Sequence, residues 1–536
     1  MLTTCGLENK YSVYLGDRSA RKALAVYLKG GRTGLDVLSR LAVGSHARVP
    51  VCDPWTADLR GEKRYVDLDL AATKPLLLPV ADAANFLERT WRQNHGRGSG
   101  LKAEILTQAM DDSRAYIGQH FGFTPDRHVV IFTAGTSAGM QKIVRIATRD
   151  PKTHFLLSLA SHHSTQLPAR ATGRYDFFEL NPNGTYDLNS LEDKLRQYSN
   201  SHRVMLLIES ESNTTGYKFP VKEVCALAAR YGARVVIDHA QGASGLPLSL
   251  ADLPGEVFIV FSGHKVYARD GSGAIIGPKR FFRGAADEPA GGTISAVTRE
   301  EIYYAEPPHN QESGTLAYIA QFSLGKALLT LDQADLAAIE DRERRLTIVL
   351  MRSLLEVEGI EIMGETDLNK VDRGPVISFS LKKINKRSAL KVLPWYIGKA
   401  LSAFWGVGVR AGFYCAHPYN YAIQGISEAE ACIHADSHAQ FGQAGCTSVY
   451  GDSNYHSVRL SFSFVTREED LAVLPEALSE IRKMDDKKSF ALVVDRIGNT
   501  IRVLGQPDDL PIRIFDFYSL GPLSDTSSRE IDLLED

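Results

Sequence analysis

Val235-Val236-Ile237-Asp238-His239-Ala240-Gln241 and, after a short spacer, Val257-Phe258-Ile259-Val260-Phe261-Ser262-Gly263-His264-Lys265 decide the fold of this chain. Each opens with a brief β-branched or aromatic run and ends in polar residues. Runs that are apolar at every position, not at alternate ones, mark strands buried on both faces of a mostly parallel sheet. Four similar runs come earlier, at Val129 to Phe132, Phe155 to Leu159, Phe177 to Leu180 and Val204 to Ile208, with helical patterns between several of them. Strand and helix alternate, so the fold class is α/β. Ligands of such sheets gather beyond the carboxyl ends of the strands, where Asp238 and Lys265 lie.

Moving outward, Leu101 to Phe121 carries apolar residues at helical spacing and stops at Gly122. After Thr315 the pattern changes to long helices at about 316–333 and 335–357. Strands are expected at Val376 to Leu381, Val407 to Arg410 and Val458 to Ser463, then a helix from Glu468 to Lys483. That order suits a smaller α+β lobe. The expected division is an N-terminal extension at 1–62, a large domain at 63–315, a small domain at 316–484 on which part of the N-terminal segment packs, and a C-terminal extension at 485–536.

The balance of 61 basic against 64 acidic residues leaves a net charge of −3 over 536 residues, so no basic excess exists to hold a nucleic-acid backbone. No apolar run reaches the roughly 18 residues that a bilayer span needs, and the start lacks a cationic, apolar leader pattern. A cytoplasmic location is the expectation. The six cysteines are scattered without a C-x-x-C pair, which argues against a zinc site or a disulfide framework. His434 and His438 are four apart, yet no cysteine or carboxylate set completes a metal site, and none is expected.

Three segments carry the chemistry. Phe132 to Gly139 (FTAGTSAG) follows a strand and opens a helix; its small residues admit an anion, and the Thr136 and Ser137 hydroxyls can donate to it. The same turn also reads as a plain helix cap. Asp238, at a strand end, can hold a protonated ring nitrogen or cap the next turn. Lys265, at the end of a core strand, must be desolvated or paired, and a desolvated amine is readily deprotonated and nucleophilic. Phosphate turn, acidic strand end and lysine strand end, in that order, are the parts that pyridoxal phosphate requires.

From about Tyr65 to Leu471 the chain resembles the class V aminotransferase superfamily, fold type I, and most of all its cysteine desulfurase and selenocysteine lyase branch. The resemblance rests on Leu68 to Thr73 (LDLAAT), Asn94 to Gly98, Ala134 to Gly139, Ser161 to Ser164 (SHHS), Glu211 to Asn213, Asp238 to Gln241, Ser262 to Lys265, Glu312 to Thr315 and Arg410 to Pro418 (RAGFYCAHP). It implies a large domain with a mostly parallel seven-stranded sheet and a smaller C-terminal α+β domain. It also implies pyridoxal 5'-phosphate held as a Schiff base on Lys265, with Asp238 on the ring nitrogen and His162 on the ring face. Asn213 and Gln241 then reach the phenolic oxygen and the substrate side of the ring. Thr136, Ser137, Ser262 and His264 hold the phosphate, and Thr315 reaches the phosphate of a neighbouring subunit in a homodimer.

By the same resemblance Arg459 binds the substrate carboxylate, with Arg410 and Arg97 also on the substrate side, and Cys415 takes sulfur from a cysteine-like amino acid as a persulfide. A protein sulfur acceptor is the implied partner. Other outcomes at the same cofactor are a C–S lyase, an aminotransferase or a biosynthetic tailoring enzyme; a non-catalytic binding module is the remaining alternative. Ala138 replaces a common acidic residue, and the long spacing from Cys415 to Arg459 frames an inserted loop at 419–456 rich in Gly, Ala, Ser and His.

Overall fold

The computed structural model describes residues 35–44, 47–53, 59–96, 98–382, 392, 394–441 and 455–484. Arg97 and the expected extension at 485–536 lie outside the described residues. The large sheet is built from β1 (His128–Thr133), β2 (Thr153–Ser158), β3 (Tyr175–Phe178), β4 (Arg203–Glu209), β5 (Arg234–Asp238), β6 (Glu256–Ser262) and β7 (Gly273–Pro278). Their spatial order is β1-β7-β6-β5-β4-β2-β3. All six runs expected from the sequence are present within a few residues. The seventh, β7, was not among them. It is antiparallel to both β6 and β1, and its glycine- and proline-bearing sequence GAIIGP hides the pattern.

Side-chain alternation explains why these strands are apolar throughout. Val130 and Phe132, Leu156, Val235 and Ile237 join one buried cluster, while Val129 and Ile131, Phe155 and Leu157, and Val236 join another on the opposite face. Each strand feeds two cores, one on each side of the sheet. The helices α1 (Leu78–Trp91), α2 (Leu101–His120), α3 (Thr136–Ala147), α4 (His163–Arg170), α5 (Tyr318–Ala334) and α6 (Leu336–Leu355) complete the layers used below. Residues of α3 and α4 cover one face. Leu324, Ala327, Leu328 and Leu331 of α5 enter the cluster on the other, and α5 packs on α1 and α2. Helix α5, expected to open the small lobe, thus lies against the large sheet's core, because Leu324, Ala327, Leu328 and Leu331 face that way.

The smaller sheet contains β8 (Ile360–Ile362), β9 (Val376–Leu381), β10 (Arg410–Gly412) and β11 (Ser457–Ser461) in the order β8-β9-β11-β10, all antiparallel. Its own core is formed by Ile377, Phe379, Val458 and Leu460 with Leu350 and Leu354 of α6. Three sequence expectations need correction. The strand expected at Val407 to Arg410 is split: Val407 and Gly408 pair in parallel with Val66 and Asp67, and the chain then turns so that Arg410 begins β10. The expected helix from Glu468 to Lys483 is two, Glu468–Ala472 and Leu474–Met484, because Pro475 cannot continue the first helix's hydrogen-bond ladder. The expected loop at 419–456 contains most of one helix, His417–Ile423, and a second, Glu428–Phe441. Upstream, Val49 and Val51 lie against the position of Gly406 in the small lobe.

Candidate active site

The ends of β1, β2, β4, β5 and β6 open on one edge of the sheet, and a cavity of about 240 Å³ lies there. Thr136, Ser137, His162, Asn213, Asp238, Gln241, Ser262, His264, Lys265, Arg410, Cys415 and Arg459 all line it. The structure thus gathers every described site residue expected from the sequence except Thr315, which is exposed and outside this cavity.

At the β1–α3 turn, Gly135 has φ +139° and its neighbour across the sheet is Gly273. A Cβ on Gly273 would stand 2.6 Å from the Gly135 Cα, so Gly273 has no room for a side chain, while at Gly135 the positive φ disfavours one. The Thr136 N–H donates to the Ser262 Oγ, and the Thr136 hydroxyl meets the same atom, both at 2.8 Å. Ser137 meets the Ser164 hydroxyl at 2.6 Å. These hydroxyls and the first turn of α3 form a small, donor-rich cradle of the kind that accepts a phosphate.

Asp238 is buried and accepts the Thr165 hydroxyl at 2.7 Å on one oxygen and the Ala240 N–H at 3.0 Å on the other. Burial pushes its carboxyl up, while Thr165, Ala240 and the Lys265 charge pull it back toward the ionised form. Lys265 has no hydrogen bond or ion pair among the described residues. Burial lowers its ammonium to about 8, against the pull of Asp238 and helped by repulsion from Arg459 and Lys74. A fraction of the amine is therefore neutral, and nucleophilic, near neutral pH. His162 caps α4: its Nδ1 accepts the Ser164 N–H at 3.1 Å, so the neutral ring carries its proton on Nε2. Burial first, then the Lys265 charge, hold His162 down at about 3, and its ring is neutral.

On the substrate side, Arg459 is almost fully buried. Its Nη2 meets Asp69 at 2.6 Å, its Nη1 donates to the Asn213 carbonyl at 3.2 Å, and its Nε is buried without a partner among the described residues. Burial lowers the guanidinium and Asp69 raises it. Arg410 stands opposite Arg459 in the β10–β11 register and lies 3.7 Å from the other Asp69 oxygen. The Arg459 guanidinium also lies 4.8 Å from the centre of the Tyr414 ring. Tyr414 and Cys415 both adopt left-handed backbone, φ 55° and 58°, unusual outside glycine. That turn is held from both sides: Asn213 Nδ2 donates to the Tyr414 carbonyl at 2.6 Å and the His163 N–H to the Cys415 carbonyl at 2.7 Å. Cys415 itself is exposed.

Four participants escaped the sequence reading. Thr165 holds Asp238, Asp69 holds Arg459, and Glu209 and Glu211 line the cavity. Glu209 had a legible signal, since it ends buried strand β4 beside Asp238 in register, as Asp238 ends β5. Burial pushes Glu209 up to about 8, and its Oε1 has no partner among the described residues, while its Oε2 accepts the Tyr186 hydroxyl at 2.8 Å. No group of three or more His, Cys, Asp or Glu suited to a metal ion occurs among the described residues.

Residues 66–474 match the family Aminotransferase class-V. The chain is 29% identical over 382 residues to a probable cysteine desulfurase of Streptomyces coelicolor, covering 69% of this chain and 87% of that protein. It is 30% identical over 363 residues to a probable cysteine desulfurase of Chlamydia trachomatis, covering 66% and 86%. The apo cysteine desulfurase of Thermococcus onnurineus has the same fold, with a TM-score of 0.64 at 23% identity over 78% of this chain and 95% of that one. The chain belongs to the class-V aminotransferases, on their cysteine desulfurase-like branch, and is an enzyme dependent on pyridoxal 5'-phosphate. The side-chain-free cradle at Gly135 and Gly273, the buried carboxylate and the unpartnered lysine amine fit that cofactor.

Proposed function

We propose that the enzyme removes sulfur from a cysteine-like amino acid and carries it on Cys415. The observation that supports this reading most is the placement of the Cys415 turn, strained and pinned, on the same cavity as Lys265 and Arg459. When bound, pyridoxal phosphate supplies an electron sink for negative charge at the substrate Cα. Thr136, Ser137, Ser262 and His264 would hold its phosphate, the Asp238 carboxylate would keep a proton on its ring nitrogen, and the neutral His162 ring would pack against it. Asn213 and Gln241 border the ring, though the Asn213 amide is engaged by Tyr414 and the Gln241 amide donates to the Ala71 carbonyl at 3.0 Å.

Lys265 Nζ, neutral above about pH 8, takes the proton from the substrate Cα. The Arg459 guanidinium orients the substrate by its carboxylate, with Arg410 nearer the mouth. Cys415 Sγ, as thiolate, attacks the substrate sulfur: the new S–S bond forms as the C–S bond breaks, and the carbon takes a proton. The products are the desulfurated amino acid, alanine from cysteine, and a Cys415 persulfide that a second thiol must collect. A homodimer in which Thr315 serves the neighbouring site, a protein sulfur acceptor and a cytoplasmic location belong to the same reading. Among the described residues no helix is long and apolar enough to cross a membrane.

The test is product analysis with Cys415→Ser. The wild type should yield equimolar alanine and protein-bound persulfide from cysteine, and the variant neither. Sulfur release undiminished in Cys415→Ser, or pyruvate with ammonia as the products, would show a lyase instead.

A further inference from the structure

A cavity of about 720 Å³ shares no lining residue with the cofactor site. It lies where four pieces of chain meet: the end of the short helix Leu35–Ser39, the end of the strand Leu59–Arg64, one face of α6, and the turn from Val465 to Glu469. Five arginines converge on it, namely Arg40, Arg64, Arg342, Arg345 and Arg467. Against them stand Glu468 and Glu469 on the lining and Asp470, the ion-pair partner of Arg64, which leaves an excess of two positive charges in a chain whose net charge is −3.

Two of the arginines are held in place. Arg64 pairs with Asp470, and Arg342 donates to the Thr466 carbonyl at 3.5 Å. Among the described residues no carboxylate pairs with Arg40, Arg345 or Arg467. Arg64 is held below the usual arginine value by burial and then by the Arg467 charge, with Glu469 opposing. Crowding like charges in a half-enclosed space is costly unless an anion completes it. The other part of the lining is apolar, formed by Leu346, Ile348, Val349 and Val465. Val349 is exposed to 39%, and Arg342, Arg345 and Val349 share one face of α6 at spacings of three and four.

We propose that this cleft is a second ligand site, for a small molecule with an apolar or aromatic body and a diphosphate or similar run of anionic groups, of the nucleoside-diphosphate kind. Guanidinium forks suit phosphate oxygens, the apolar wall suits a flat body, and the volume is that of a small-molecule pocket. Glu343, one residue from Arg342, is buried and accepts the Phe464 N–H at 3.1 Å, and Val465 of the cleft follows Phe464.

The experiment is calorimetric titration of ADP and of inorganic pyrophosphate into the full-length chain saturated with pyridoxal phosphate, so that the cofactor's own phosphate cradle is filled. ADP should bind saturably, more weakly as salt is raised. Arg345→Glu and Arg467→Glu should each weaken it by about tenfold or more, with desulfuration of cysteine at its wild-type rate. Val349→Asn should weaken ADP and leave pyrophosphate unchanged. No saturable ADP binding at millimolar concentration, or binding that both charge reversals leave intact, would overturn the site.

Discussion

Replacing Thr165 by Val tests the electrostatic centre of the site with almost no change of shape. The Thr165 hydroxyl donates to Asp238 at 2.7 Å, both groups are buried, and among the described residues the only other donor to that carboxylate is the Ala240 N–H. A hydrogen bond to a charged group contributes about 1.5–3 kcal/mol, and each pKa unit corresponds to about 1.4 kcal/mol, so losing it should raise the Asp238 carboxyl by about 1–2 units. Burial already pushes that group up. The anion that keeps the cofactor's ring nitrogen protonated then persists only at higher pH, and the acid limb of the activity profile should move upward by the same 1–2 units. The assay is kcat/KM for cysteine against pH, paired with the cofactor's visible spectrum over the same range. Thr165→Ser, which restores the donor, should return the limb to its place. An acid limb unmoved in Thr165→Val, or equally displaced in Thr165→Ser, would refute the assignment of Thr165 as the group that holds Asp238 ionised.

Three further outcomes follow from the geometry. Gly273→Ala places a methyl against the Gly135 backbone, and overpacking of this kind costs about 1–3 kcal/mol; pyridoxal-phosphate affinity, measured by equilibrium titration of the apoenzyme, should fall, and an unchanged affinity would remove the cradle from the phosphate site. Glu209 sits at about 8 in the folded chain against an ordinary 4.5, so the folded state holds an extra proton between those values and is destabilised as pH rises through that window, by at most about 1.4 kcal/mol per pH unit. Glu209→Gln should flatten the fall of melting temperature between about pH 5 and 8, and an identical slope in both proteins would place the proton elsewhere. Arg459→Lys keeps the charge but loses the planar fork that meets Asp69 and the substrate carboxylate, so KM for cysteine should rise by about tenfold while kcat changes less; equal loss in both would mean that Arg459 acts in the chemical step.

How much of this was legible in the sequence depended on where the signal resides. Strands β1 to β6 announce themselves because each must be apolar on both faces, and their polar terminal residues stand out by contrast. Asp238 and Lys265 could be read for that reason. The same rule, applied once more, would have found Glu209. Strand β7 stayed hidden because glycine and proline interrupt its apolar pattern, and tertiary pairing to β1 and β6 rather than local propensity makes it a strand. The roles of Thr165, Asp69 and Tyr414 could not be read: each acts through a residue tens to hundreds of positions away, and no local period encodes such a contact. Yet these unreadable residues fix the geometry of the readable ones. Asp69 fixes the Arg459 guanidinium, that guanidinium packs on Tyr414, and Tyr414 precedes Cys415 in a turn whose backbone Asn213 and His163 clamp. The carboxylate-binding arginine and the cysteine turn are thus parts of one contiguous network. A substrate carboxylate that draws Arg459 toward the cavity must also change its packing on Tyr414, and so bear on the turn that carries the thiol.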